Sequence, residues 1–218
     1  LGYAIYGDAG GQPVFYFHGF PGSRLEARLA DGVADQLGVR LIAVDRPGFG
    51  LSDFKPRRTI FDWPDDVVQI ADALNVNRFA AVGVSGGGPY AAACALKIPE
   101  RLTAAAIVCG LGPLDTPNGS NRMIGNNHLI FLLARRLPWL ARISLWRTSY
   151  QVRRNPERTL ARIMRALPDP DRAVLARPEV KTTIRDNIVE AFRGGSSGAA
   201  GHARRRSRRS AGTPSAAT

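Results

Sequence analysis

The spacing of apolar residues divides the chain into stretches with different grammar. Up to about residue 110, short β-branched or aromatic runs alternate with segments whose apolar positions recur every three to four residues. Residues 3–6 and 14–17 read as strands. The turn-forming sequence Gly-Asp-Ala-Gly-Gly at 7–11 lies between them, and this predicts a hairpin. Leu25, Leu29, Val33 and Leu37 fall four apart and predict a helix over 25–37 with that stripe turned inward. Residues 41–44, 79–84 and 103–108 are continuous apolar runs, the pattern of strands buried on both faces. Helical spacing over 60–74 and 86–97 separates them. The alternation implies right-handed crossovers and an α/β fold: a mainly parallel sheet with flanking helices.

After residue 112 the pattern changes. Gly, Pro and Asn punctuate 110–121, and helical segments follow near 122–137, 139–150, 156–166 and 178–192 with no strand-like run between them. Beyond Phe192 no Leu, Ile, Val or Phe occurs. The expected organisation is an α/β core over 1–115, a helical cap or lid over 116–193, and a disordered basic tail over 194–218, which lacks the apolar residues a core needs.

At 218 residues and 44% hydrophobic, the chain can bury a sizeable core, so a wholly disordered protein is excluded. The formal charge of +12 suggests nucleic acid until it is divided: residues 1–120 carry −2, 121–193 carry +9 and 194–218 carry +5. The longest basic run, Arg204-Arg205-Arg206-Ser207-Arg208-Arg209, lies in the tail rather than on an organised face, so no specific nucleic-acid partner is expected. No apolar run is long enough for a membrane span, so no membrane partner is expected. No secretory leader is visible and the protein reads as cytoplasmic. Cys94 and Cys109 read as buried, inert thiols, and no metal-ligand spacing or cofactor motif occurs; metal and cofactor are both expected to be none.

The candidate chemistry centres on Gly83-Val84-Ser85-Gly86-Gly87, a G-x-S-x-G sequence with a strand running in and a helix running out. Serine on such a sharp turn stands above the carboxyl end of the sheet, and its neighbours must lack side chains for strand and helix to approach. A second motif, His18-Gly19-Phe20-Pro21-Gly22, follows the strand at 14–17. Acyl transfer needs two backbone N–H donors at the developing oxyanion. Gly86 would supply one and Phe20 the other, since Pro21 has no N–H. His18 reads as bracing this loop rather than as a general base, because it precedes the serine. A third motif, Asp45-Arg46-Pro47-Gly48-Phe49-Gly50-Leu51-Ser52-Asp53, follows the strand at 41–44, and Asp45 reads as a structural brace for its turn.

The sequences HGFPGS at 18–23, DRPGFGLSD at 45–53 and GVSGGG at 83–88, in that order, resemble the α/β-hydrolase superfamily, in particular its serine esterase, lipase and peptidase-like branch with a helical cap. The resemblance covers residues 1 to about 193. It implies Ser85 as nucleophile, Phe20 and Gly86 as oxyanion amides, His18, Gly19, Gly83 and Gly87 as motif support, and an ester-, thioester- or amide-type small-molecule substrate cleaved through an acyl-enzyme. Epoxide hydrolases share an HG-x-P loop but use an aspartate where Ser85 stands.

The same resemblance implies an acid and then a histidine after the serine. His128 falls in the expected cap and His202 in the tail, and the acid's best representative is Asp115, in Gly-Leu-Gly-Pro-Leu-Asp, which also reads as a turn residue. The last strands of the family sheet, and its first, have no counterpart. The chain is therefore expected to be a truncated hydrolase with impaired or absent turnover. The alternative is a non-catalytic small-molecule-binding module of the same fold; a third reading is a basic interaction protein driven by the tail.

Overall fold

The computed structural model describes residues 1–112 and 136–195. Five strands, β1 (Tyr3–Gly7), β2 (Gln12–Phe17), β3 (Val39–Val44), β4 (Phe79–Val84) and β5 (Leu102–Val108), form one sheet in the order β1-β3-β2-β4-β5. All neighbours are parallel except β1 and β3. The expected α/β class with a mainly parallel sheet is what is observed.

Period-two alternation sorts the strand residues onto two faces. Phe15, Phe17, Ile42, Val44, Phe79 and Ala81 point to one side, where α2 (Trp63–Ala73) and α3 (Gly88–Lys97) cover them with Trp63, Val67, Tyr90, Ala91 and Cys94. Val14, Tyr16, Leu41 and Ala43 point to the other, under a 3-10 segment (Arg24–Ala30) and α1 (Asp31–Gln36).

Three expectations are corrected. The hairpin does not form: β3 lies between β1 and β2, pairing antiparallel with the first and parallel with the second. β3 is covered by helices on both faces, and its place between two strands pairs both of its edges as well. The stripe Leu29, Val33 and Leu37 faces outward, at 44, 58 and 71% exposure, while Ala27 and Ala34 pack on the sheet. The segment begins as 3-10 helix, with about three residues per turn, and this shifts the phase of the α-turn that follows. The run at 103–108 is a strand but not a buried one. Among the described residues β5 has a neighbour on one side only, and Ile107 and Val108 are 54 and 47% exposed.

Among the described residues four helices follow: α4 (Pro138–Arg154), α5 (Pro156–Arg165), α6 (Asp169–Leu175) and α7 (Pro178–Ala191). Three correspond to expected segments; α6, short and polar, was not read from periodicity. Ala141, Leu145 and Val152 of α4 and Ala191 and Phe192 at the end of α7 close over Phe49, with Phe20 partly buried beside them. The helical layer therefore rests on the loops that follow β2 and β3. The expected helix at 122–137 for the most part, and the tail beyond Gly195, lie outside the described residues, so the division into core, cap and tail stays an expectation.

Candidate functional site

The chain turns sharply where β4 becomes α3. Ser85 has φ +49°, in the left-handed region that a residue with a Cβ enters only at a cost. It opens a single 3-10 turn, Ser85–Gly87, that leads into α3. The flanking glycines are required by contact. A Cβ on Gly83 would lie 2.5 Å from Gly87 O, and one on Gly87 would lie 2.0 Å from Phe17 O. The turn thus presses against the end of β2, and the Ser85 side chain is exposed at the sheet's carboxyl edge. Among the described residues the Ser85 hydroxyl makes no hydrogen bond.

The loop after β2 lies against this turn. A Cβ on Gly86 would meet Phe20 Cβ at 2.9 Å and Phe20 N at 3.2 Å, and one on Gly19 would stand 3.7 Å from Ser85 Cβ. The Phe20–Pro21 peptide is cis. Two peptide planes are oriented by their carbonyls. Gly19 O accepts from Arg46 Nη2 at 2.6 Å and from His18 Nδ1 at 2.9 Å, so the N–H across that trans peptide, on Phe20, points away from both. Ser85 O accepts from the Leu111 amide at 3.0 Å, which likewise sets the direction of the Gly86 N–H.

Arg46 is the centre of the arrangement and is 1% exposed. Its Nη1 donates to Gly86 O at 2.9 Å, and its guanidinium stands 5.3 Å from the centre of the Phe49 ring and 4.8 Å from that of Tyr90. One side chain therefore grips carbonyls on both loops. Burial lowers its basicity. His18, fully buried, has both ring nitrogens committed. Nε2 accepts the Arg46 backbone N–H at 3.2 Å, which puts the ring proton on Nδ1, facing Gly19 O. Burial, and then the adjacent Arg46 charge, hold the ring well below the usual histidine range, so it is neutral at pH 7.

Glu26 fixes the other side of Gly19. Its carboxylate accepts the Gly19 N–H at 3.1 and 3.2 Å and the Tyr16 hydroxyl at 2.9 Å; burial pushes it above the usual carboxylate range against the pull of these donors. Asn187 of α7 then ties the helical layer to the same loop. Its Oδ1 accepts from Ser23 N at 2.7 Å and Ser23 Oγ at 2.9 Å. Asp45 accepts from the amides of Arg24 at 2.6 Å and Leu51 at 2.9 Å and pairs with Arg24 Nη1 at 2.7 Å, which braces its turn.

Of the predicted site residues, His18, Gly19, Phe20, Gly83, Ser85, Gly86 and Gly87 come together at this edge. Asp115, His128 and His202 lie outside the described residues. Cys94 is buried, its thiol pushed up to about 12 by burial, but Cys109, expected to be buried, is exposed at the end of edge strand β5. The sequence pattern did not single out Arg46, Glu26 or Asn187. Arg46 stood inside a quoted motif; for the other two no local signal exists. Among the described residues no group of His, Cys, Asp or Glu could hold a metal, and no helix is long and apolar enough to cross a membrane.

Known proteins are similar to this chain in sequence and in fold. The chain is 28% identical over 127 residues to a serine hydrolase-like protein of Danio rerio, a match covering 51% of this chain and 35% of that protein. It is 32% identical over 127 residues to a non-heme chloroperoxidase of Streptomyces lividans, covering 55% and 44%. Among solved structures it resembles a thermophilic esterase from Thermogutta terrifontis (TM-score 0.65, 23% identity, 95% of this chain and 67% of that one). It also resembles the enol-lactonase of Burkholderia xenovorans LB400 (TM-score 0.61, 16% identity, 94% and 69%). The chain thus aligns with less than half the length of these curated relatives and about two thirds of these structures. The family model described as alpha/beta hydrolase fold matches residues 12–137, more than half of the sequence, and the chain belongs to that family.

Proposed function

We propose that this chain carries the nucleophile and oxyanion site of a serine hydrolase acting on a small-molecule ester, thioester or amide. The observation that carries the reading is Ser85 itself: an exposed side chain at φ +49°, between a strand and a helix, on a turn that lies against the Gly19–Phe20 loop. In the proposed step Ser85 Oγ attacks the carbonyl carbon and gives its proton to a base. The carbonyl oxygen takes the negative charge and receives hydrogen bonds from the Phe20 and Gly86 amides. Collapse expels the leaving group with a proton and leaves an acyl-serine, which water cleaves. Arg46 supports this by holding Gly19 O and Gly86 O, and so the two loops, in register. The names of the relatives, which include an esterase and an enol-lactonase, agree with an ester-type substrate.

The base is not His18, the one histidine among the described residues, because both its nitrogens are engaged. Within this reading the proton acceptor comes from outside those residues, with Asp115 kept as a weak candidate for its orienting acid. Oxyanion donors and binding alone sustain about 10³–10⁴-fold acceleration over water when a triad member is missing. The test is prolonged incubation with a fluorophosphonate probe followed by peptide mapping. One slow adduct, on Ser85 and lost in Ser85→Ala, is expected. An adduct elsewhere, or none, refutes the assignment. Ligand binding that survives Ser85→Ala with no adduct in either protein would favour the second reading, a non-catalytic binding module.

A further inference from the structure

α4 carries two apolar faces, and among the described residues only one is packed inside the fold. Ala141, Leu145, Ser149 and Val152 are buried at 1–3% exposure. Trp139, Ile143, Trp146 and Tyr150 recur at steps of four, three and four residues, which places them in one stripe along the opposite side. They are 58, 48, 58 and 46% exposed, and the Trp146 and Tyr150 rings stack at 6.1 Å. On a helical projection Arg142 and Arg153 flank one edge of the stripe and Arg147 and Arg154 the other; all four are exposed. The 17 residues of α4 contain no acid.

An aromatic stripe on its own suits several partners. Arginines along both edges, with no carboxylate on the helix itself to answer them, narrow the choice. Trp and Tyr place an apolar body and a polar tip at a water–lipid boundary, and arginine stems lie along the apolar surface while their heads reach phosphate. A helix with aromatic residues facing a bilayer and basic residues at its flanks lies in the interface plane. The whole helical layer shares this sign: residues 136–195 contain 13 Arg or Lys and 6 Asp or Glu, a net +7.

We propose that the exposed face of α4 docks on an anionic lipid surface, with Trp139, Ile143, Trp146 and Tyr150 in the headgroup–acyl boundary and Arg142, Arg147, Arg153 and Arg154 on lipid phosphates. This is peripheral binding, compatible with the absence of a membrane-spanning helix among the described residues. It departs from the expectation that no membrane is a partner. It does not depend on the role of Ser85. For a small ester substrate it would bring the site to a surface where apolar esters concentrate.

The test is co-sedimentation of the full chain with phosphatidylcholine vesicles with and without phosphatidylserine, together with tryptophan emission. Binding is expected only with phosphatidylserine present, with a blue shift from Trp139 and Trp146, since Trp63 is already buried at 1% exposure. Each arginine of α4 changed to Gln should weaken partitioning about fivefold, the equivalent of about 1 kcal/mol per basic residue at such a surface. W139S/W146S should abolish the interaction. Both positions are solvent-exposed, so this variant should melt as the parent does. The basic tail needs its own control: with Arg204, Arg205, Arg206, Arg208 and Arg209 replaced by Gln, the blue shift should persist. The proposal is overturned if binding follows the tail arginines and survives W139S/W146S. It is overturned equally if neutral and anionic vesicles bind alike or not at all. A dimer abolished by W139S/W146S, with no lipid binding by the parent, would instead make the stripe an interface between copies.

Discussion

Replacing Ser85 separates the chemistry of its hydroxyl from the strain of its backbone. Ser85 and any alanine in its place must hold φ near +49°, the conformation recorded for this turn. For a residue with a Cβ the left-handed region costs about 1–2 kcal/mol, and glycine is relieved of this. Glycine in turn loses about 0.5–1 kcal/mol through its greater freedom in the unfolded chain. The balance favours S85G over S85A by about 0.5–1 kcal/mol, or roughly 1–4 °C in melting temperature for a domain of this size. Reversible urea unfolding of the two variants measures it directly, since both lack the hydroxyl and differ in one methyl group. Ser144, inside α4, provides the opposite control. There S144A should exceed S144G by about 1 kcal/mol, because the backbone is right-handed and alanine is the better helix former. Should S85A prove as stable as S85G while the Ser144 pair behaves as stated, the turn is not strained. The case for a built nucleophile position would then lose its physical basis.

Two further outcomes follow from the buried cluster behind the site. Arg46→Lys should lower stability by about 1–3 kcal/mol, because one ammonium cannot reach both Gly19 O and Gly86 O and a buried carbonyl is left without a donor; an unchanged urea midpoint would show that the two loops do not depend on that grip. His18 should make the protein less stable as pH falls below about 6.5, by up to about 1.4 kcal/mol per pH unit, because the unfolded chain then takes up a proton that the buried ring, held well below its usual range, does not. His18→Asn should flatten that slope. Glu26 and Asp45, pushed up by burial, act in the opposite sense in both proteins and drop out of the difference. Equal slopes from about pH 5 to 7 would refute the assignment of a neutral ring.

How much of this was legible beforehand depended on distance along the chain. A strand, a serine flanked by glycines and a helix are neighbours in sequence, so the turn at Ser85 and the parallel class of the sheet could be read from spacing and residue type; the pairing of Gly86 with the loop at Phe20 came from what acyl transfer requires of its donors, not from spacing. The same holds for Asp45, whose partner Leu51 is six residues away. Strand order could not be read this way. The short turn at 7–11 permitted a hairpin, whereas in the fold β3 pairs with β1 on one edge and β2 on the other, contacts made between segments remote in sequence. Nor could the inward face of the first helical segment, where a change from 3-10 to α geometry turned Ala27 and Ala34 to the sheet and left Leu29, Val33 and Leu37 outside. The grip of Arg46 on Gly86 spans 40 residues and the bond of Asn187 to Ser23 spans 164. Periodicity records which residues avoid water, but side-chain hydrogen bonds between remote segments depend on where the chain returns. Local sequence therefore determined the strained serine turn, and tertiary packing alone decided what holds the loops around it in place.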